Sequence, residues 1–332
     1  KPKPMRAILV TIFVAGILLL ASPGYAQVNA ADETILTKPW NAYWIAAKNE
    51  TGRDYGVFYF RKSIDLPAKP ASFIINVSAD NRYKLYVNGT LVSLGPARGD
   101  TYYWNYEKVD LAQYLKQGKN TVSAIVWNEA EYRPEAQISL RTAFILQGKT
   151  AAEEILNTNN TWKCVRDKAY QPISGGIGYG AYYVAGPGEL IDKSKTVKNA
   201  MSPDLDDSNW AAAGQLDHGK PKGMADAFGW MLVPSIIPQM ERTYQRIPSL
   251  RKAEGATFPA SFPATKAAVT IPANTITTLI LDQTYLTNAY LSLNFSKGKD
   301  AGISLTYNES LFDNLKKYGS RKGDRNQVEG KD

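Results

Sequence analysis

The stretch Ser78–Gly99, SADNRYKLYVNGTLVSLGPARG, limits the fold more than any other. Tyr83, Leu85 and Val87 alternate with Arg82, Lys84 and Tyr86, a period of two that gives an extended strand one apolar face. Asn88-Gly89 follows, and both residues tolerate the positive φ that a two-residue type I′ turn demands. Thr90–Leu94 then runs back. A hairpin of this kind must bury its apolar face against a second layer. Asp80 and Asn81 stand at its open end, where their side chains face a loop cleft.

The rest of the chain repeats the pattern. Gly56–Ile64, Ala71–Ala79, Thr121–Trp127 and Gln137–Leu146 read as strands, rich in β-branched and aromatic residues. Asp65-Leu66-Pro67 ends the first of them, since proline cannot donate to a ladder. Trp40–Ile45 begins ordered structure, and Val109–Leu115 reads as a short helical turn closed by glycine. Glu153–Arg166 delivers Trp162 into a further strand, and Ser174–Gly188 reads as a glycine-rich surface loop with exposed tyrosines. Short strands with turn signals between them predict a β-sandwich or jelly roll over residues 38–238. Pro234 and Pro238 flank a boundary. Beyond it Ala267–Ile271, Thr275–Leu281, Ala289–Phe295 and Ala301–Tyr307 are candidate strands of a second sandwich over 239–332, too few to close a two-sheet core. The chain then runs into a polar tail, and truncation within that second domain is expected.

Residues 5–26 resemble a secretory leader: Arg6, an apolar run over Ala7–Ala21, a break at Pro23-Gly24, and Ala26 before the cut. The run is shorter than a bilayer span, so cleavage is expected rather than an anchor. Residues 27–37 read as a linker, and the mature chain as periplasmic or secreted, with no membrane attachment. Export brings no internal disulfide, because Cys164 is the only cysteine. The formal charge of +8 falls to +5 without Lys1, Lys3 and Arg6, and the remaining basic residues are interspersed with acids. No nucleic-acid partner is read from that balance.

Few chemistries fit. His218 is the sole histidine, which excludes three-histidine zinc sites, and it lies in a loop without a nucleophile elbow nearby. Glu129, Glu131 and Glu135 cluster after Trp127, and Asp204, Asp206 and Asp207 before Trp210. Solvated loop acids explain both clusters better than the acid pair of a glycosidase. Asp80, Asn81 and Asn128 offer oxygen ligands at strand ends, a candidate calcium site. The alternative is that they make side-chain-to-backbone turn bonds. The aromatic run Tyr102–Tyr106, with Trp104, and the strand-end Trp127 offer rings on which a pyranose can stack, although alternate members of such a run point into a core. Asp80, Asn81, Trp104, Trp127 and Asn128 are therefore the candidate sugar-binding residues.

These same stretches carry a resemblance. SADNRYKLYVNGTLVSLGPARGD, YGVFYFRKSIDLP, TVSAIVWNEA, DDSNW and TYNESLFD…GSRKGDRNQVEGKD together resemble the N-terminal β-sandwich region of bacterial α-L-rhamnosidases. The hairpin portion is also common to galactose-binding-like sandwiches. The resemblance implies an all-β fold and a parent enzyme that removes terminal α-L-rhamnose from glycosides with inversion, using two glutamates. It places those glutamates in an (α/α)₆ barrel C-terminal to the β domains, so no catalytic residue is carried over and this chain is expected to be inactive alone. The implied partners are a rhamnose-containing oligosaccharide or glycoside and that missing catalytic domain. Some members bind rhamnose through calcium, and Asp80, Asn81 and Asn128 are similar to that ligand set, although Glu129–Pro134 departs from the glycine-rich loop expected beside it. A free-standing lectin-like protein and a ligand-free structural spacer are the alternative readings.

Overall fold

The computed structural model describes residues 30–173, 188–224 and 229–307. The leader, the glycine-rich loop from 174 to 187 and the tail from 308 onward lie outside the described residues. The chain divides into two compact units between Met240 and Glu241.

The first unit opens with a helix, α1 (Ala30–Thr37), where a linker was expected. Ile35 on it is buried, and its carbonyl accepts the Trp40 indole N–H at 3.0 Å, so this segment is tied to the fold. Strands β1 (Tyr43–Ala46), β2 (Gly56–Leu66), β3 (Ile74–Asp80), β4 (Arg82–Val87), β5 (Thr90–Gly95) and β6 (Trp104–Asp110) follow. Next come β7 (Gly118–Asn128), β8 (Ala143–Gly148), β9 (Lys163–Asp167), β10 (Tyr170–Pro172) and β11 (Glu189–Ile191). The unit closes with β12 (Ala211–Ala212), β13 (Gly214–His218), β14 (Lys220–Pro221) and β15 (Met231–Pro234).

Two sheets form the sandwich. One runs β13-β1-β8-β3-β6-β15-β14, the other β12-β9-β2-β7-β4-β5. The core between them takes the alternate residues that sequence periodicity assigns inward. Ile75, Val77 and Ala79 come from β3, Phe58 and Phe60 from β2, Tyr83, Leu85 and Val87 from β4, and Val122, Ala124 and Val126 from β7. Cys164 is buried in the same core, and burial pushes its thiol well above the ordinary range, so it is an inert packing residue. A second apolar layer covers the other face of the first sheet. There Trp44 stacks on Trp230 at 4.3 Å, Trp104 meets Trp230 edge-on at 6.4 Å, and Trp40 meets Tyr106 edge-on at 5.1 Å.

The hairpin turns at Asn88 and Gly89, with φ of 50° and 82°, as a type I′ turn requires. Its register slips between Leu85/Ser93 and Tyr86/Leu91, leaving Val92 as a bulge. Asn88 does more than turn the chain. Its amide donates to the Tyr114 carbonyl and to Asn120 Oδ1, each at 2.9 Å, and its oxygen accepts the Thr121 N–H at 3.0 Å. Asn88→Gly keeps the turn conformation and removes these bonds, so it is expected to lower stability by about 2 kcal/mol in urea unfolding. A change below about 0.5 kcal/mol would mean that the side chain contributes nothing beyond the turn. On the outer edge of β5, Gln239 Oε1 accepts the Leu94 N–H at 3.3 Å and the Ser93 hydroxyl at 3.2 Å.

Several expected boundaries move. Residues 137–142 are not strand, because their backbone groups serve the end of the sandwich instead (Leu140 and Arg141 N–H to Asp80). Val109 belongs to β6, and the helical turn shrinks to Ala112–Tyr114. Just before the expected boundary, the segment ending at Pro234 forms β15, which pairs parallel with β6 through Leu232–Trp104.

In the second unit β16 (Ser249–Glu254) pairs antiparallel with β17 (Thr278–Asp282). Residues 267–271, 289–295 and 301–307 were expected as strands and are not. Alternating apolar residues become a strand only where a neighbour takes their N–H groups and covers their face. These segments pair with no strand among the described residues: the Leu291 N–H meets the Tyr307 hydroxyl and the Ala301 N–H a turn carbonyl, while Tyr290 and Phe295 are 89% and 76% exposed.

Candidate functional site

The end of the sandwich where β3 stops and β4 starts gathers the candidate residues. A small crevice of about 10 Å³ lies there, lined by Asn81, the loop Pro96–Gly99, Trp104, Asn105 and Gln137. Each wall has a local cause. Asn105 donates to the carbonyls of Ala97 and Arg98, Glu107 accepts the Ala97 N–H at 2.9 Å, and Arg82 donates to the Pro96 carbonyl at 2.8 Å. Those bonds fold the loop back over β6. Gly99 is required at its corner, because a Cβ there would sit 2.1 Å from the Tyr103 carbonyl oxygen.

Asp80 forms the support beneath. It is fully buried, and nitrogen donors surround it. Oδ2 accepts from the backbone of Leu140 at 2.7 Å and Arg141 at 3.2 Å and from the Trp230 indole at 3.0 Å. Oδ1 accepts from the amides of Asn81 at 2.9 Å and Asn128 at 3.5 Å. Burial pushes the Asp80 carboxyl up to about 6, and its bonds to Ser139, Leu140, Trp230 and Arg141 pull the other way.

This arrangement tests the calcium reading. A calcium ion takes six to eight oxygens. Here Asn81 and Asn128 turn their NH₂ groups toward Asp80, while their oxygens accept backbone N–H groups of Glu129 and Ala130. Donors fill the space a cation would need, so the three residues as placed do not fit calcium. They make the side-chain-to-backbone bonds of the alternative reading. The melting temperature is accordingly expected to be the same in calcium and in a chelator, and a rise with calcium would overturn this fit argument.

Of the five sugar-binding candidates, Asn81 and Trp104 line the crevice, and Asp80 and Asn128 support it. Trp127 does not join them. Its neighbours Val126 and Ala124 alternate into the core, so its ring lies on the opposite face of the second sheet, where Lys84 sits 5.9 Å from it. Sequence reading missed Gln137, Asn105 and Arg98. Gln137 is buried as a residue and lines the crevice. Trp104 is buried too, and its indole N–H finds no acceptor among the described residues. Buried polar groups are ordinarily paired, so an indole N–H left without an acceptor in a residue lining the crevice is a vacant donor that a polar partner could meet.

None of the lining residues is a carboxylate. Glu131, Glu135, Asp204 and Asp206 are exposed, and Asp207 is committed to Arg61 and Lys163. Glu129 is half-buried and its carboxyl is raised by that burial, but it lies outside the lining. His218 lies in β13 rather than a loop. Its ring packs 3.8 Å from that of Tyr43 and its Nδ1 is 2.8 Å from the Trp40 carbonyl.

No family model and no curated protein sequence matches the chain. Solved structures do. A GH78 family rhamnosidase of Bacillus sp. GL1 aligns with a TM-score of 0.54 and 24% identity, over 67% of this chain and 22% of that one. An α-L-rhamnosidase from Dictyoglumus thermophilum aligns at 0.42 and 21%, over 66% and 24%. A lectin from Pleurotus ostreatus in complex with GalNAc aligns at 0.35 and 17%, over 61% and 51%. At these identities the likeness is one of fold, a β-sandwich of the kind found in the first of them. This chain spans about a fifth of that rhamnosidase's length.

Proposed function

We propose that residues 38–240 form a non-catalytic carbohydrate-binding sandwich, part of an exported α-L-rhamnosidase-type glycoside hydrolase, and that its crevice takes a terminal L-rhamnosyl residue. One observation carries the reading: Trp104, whose buried indole N–H has no acceptor among the described residues, lines the crevice beside Gln137. An amide offers both a donor and an acceptor, which suits neighbouring sugar hydroxyls, and the indole adds a fixed donor. The crevice has about 10 Å³ of space, room for one hydroxyl-sized group, so a terminal ring would lie over it and be held on one side. The absence of carboxylates from its lining supports binding without hydrolysis.

The test is an NMR titration of the whole chain with L-rhamnose, in a chelator and in calcium. Shifts of the Trp104 indole and Gln137 amide signals are expected in both, with a millimolar Kd, about −4 kcal/mol. Absence of any shift at both groups would remove the reading. Gln137→Ala should weaken binding about tenfold, which is roughly 1.4 kcal/mol. An unaltered Kd would remove Gln137 from the site. No turnover of an aryl rhamnoside is expected.

A further inference from the structure

We propose that the Arg242–Thr243 peptide bond is a processing site, at which a trypsin-like endopeptidase that takes an arginine side chain in its specificity pocket releases the sandwich of the first unit. The inference is independent of the crevice reading.

The run of chain around this bond is open. Residues 238–248 contain no helix, strand or turn, and every residue from 236 to 246 is exposed, Ile236 at 95% and Tyr244 at 90%. Pro238 and Pro248 bracket the run, and neither has an N–H with which to join a ladder. A protease cleft takes several consecutive residues as open chain, so a run without secondary structure enters it with no prior unfolding.

The run holds two basic residues, Arg242 and Arg246, which differ in what restrains them. Arg246 donates from Nε to the Pro263 carbonyl at 2.6 Å, and its neighbour Gln245 accepts the Tyr285 hydroxyl at 2.6 Å. Those bonds keep the Arg246 guanidinium out of a protease pocket. Arg242 lies earlier in the run and has exposed neighbours on both sides, from Met240 to Tyr244. Two exposed basic residues of the first unit show the contrast. Lys195 pairs with Asp192 at 3.0 Å and its N–H meets the Asp192 carbonyl at 3.0 Å, while Arg133 donates from its guanidinium to the Ala130 carbonyl at 2.7 Å. A cut at either one requires its turn to open first.

The cut also falls beyond what the sandwich uses to hold together. Its two buried clusters draw on residues up to Leu232, and the bonds from Gln239 to β5 precede Arg242 as well. Hydrolysis adds water across the bond, leaves a carboxylate on Arg242 and an ammonium on Thr243, and needs no further reactant.

The experiment is limited digestion of the whole chain with trypsin, with the products read by intact mass. Among cuts between residues 30 and 307, the first is expected after Arg242, and the piece that ends there is expected to persist. Arg242→Gln should remove that cut and lengthen the half-life of the uncut 30–307 stretch about tenfold, the difference between an open run and one that must first lose a turn. Arg246→Gln should leave the cut after Arg242 in place. A first cut elsewhere between 30 and 307, an unchanged half-life in Arg242→Gln, or rapid loss of the piece ending at Arg242 would each overturn the inference.

Discussion

Asp80→Ala is expected to lower the stability of the chain by about 3–5 kcal/mol at pH 7, measured by urea unfolding. The side chain is fully buried and accepts from five nitrogen donors on Asn81, Asn128, Leu140, Arg141 and Trp230. Alanine leaves those donors without an acceptor, and water cannot easily reach them. The same carboxyl also makes stability depend on pH. Its folded value of about 6 lies above its ordinary 3.8. Between these values the folded chain holds a proton that the unfolded chain releases, so this group's contribution falls as pH rises from about 4 to about 6, by roughly 3 kcal/mol in all. Asp80→Asn removes the titration. Its cost should therefore be about 3 kcal/mol larger at pH 4 than at pH 7. A cost that is flat across this range would show that the nitrogen donors fully offset burial and that Asp80 titrates at an ordinary value.

Arg61→Met is expected to cost about 3 kcal/mol, by the same measurement. Arg61 is fully buried on the face of the second sheet away from the core. Its Nε meets Asp207 at 2.7 Å, and its two terminal nitrogens donate to the Ser123 hydroxyl and to the carbonyls of Ala200, Pro203 and Leu205. One side chain thus pins the segment from 200 to 207 onto β2. Methionine matches the length and supplies no donor, so three carbonyls and the Ser123 hydroxyl lose their donor and Asp207 keeps only Lys163. Arg61→Lys restores the charge without the planar fork and should recover only part of the loss. Lys163→Ala is the contrast, since Lys163 bonds the same Asp207 from a site one-third exposed and should cost under about 1 kcal/mol. Equal costs for Arg61 and Lys163 would mean that the buried fork contributes no more than a surface pair.

The parts of the fold that were legible are those with local signals. Asn88-Gly89 specified its turn, and alternation placed Tyr83, Leu85 and Val87 in the core. What escaped depends on partners distant in sequence. β15 has only four residues and ends on a proline, so no period marks it; its pairing with β6 and the stack of Trp44, Trp230 and Trp104 appear only once the chain is folded. In the second unit, alternation at 289–295 promised a strand for which the described residues supply no neighbour. The candidate site was half legible for the same reason. Asn81 and Trp104 flank the hairpin that announced itself, while Gln137 comes from a loop that alternation alone reads as strand. Asp80 was legible as important but not in its role, because a carboxylate at a strand end can hold a cation or gather N–H groups, and only the orientation of Asn81 and Asn128 decides which.

The bond from Gln239 to the rim of β5 has a bearing on solubility. A bare strand at the margin of a sheet invites another molecule to zip onto it, and β proteins aggregate by that route. One amide oxygen occupies the Leu94 N–H and the Ser93 hydroxyl there, blocking the first rung such a neighbour would use.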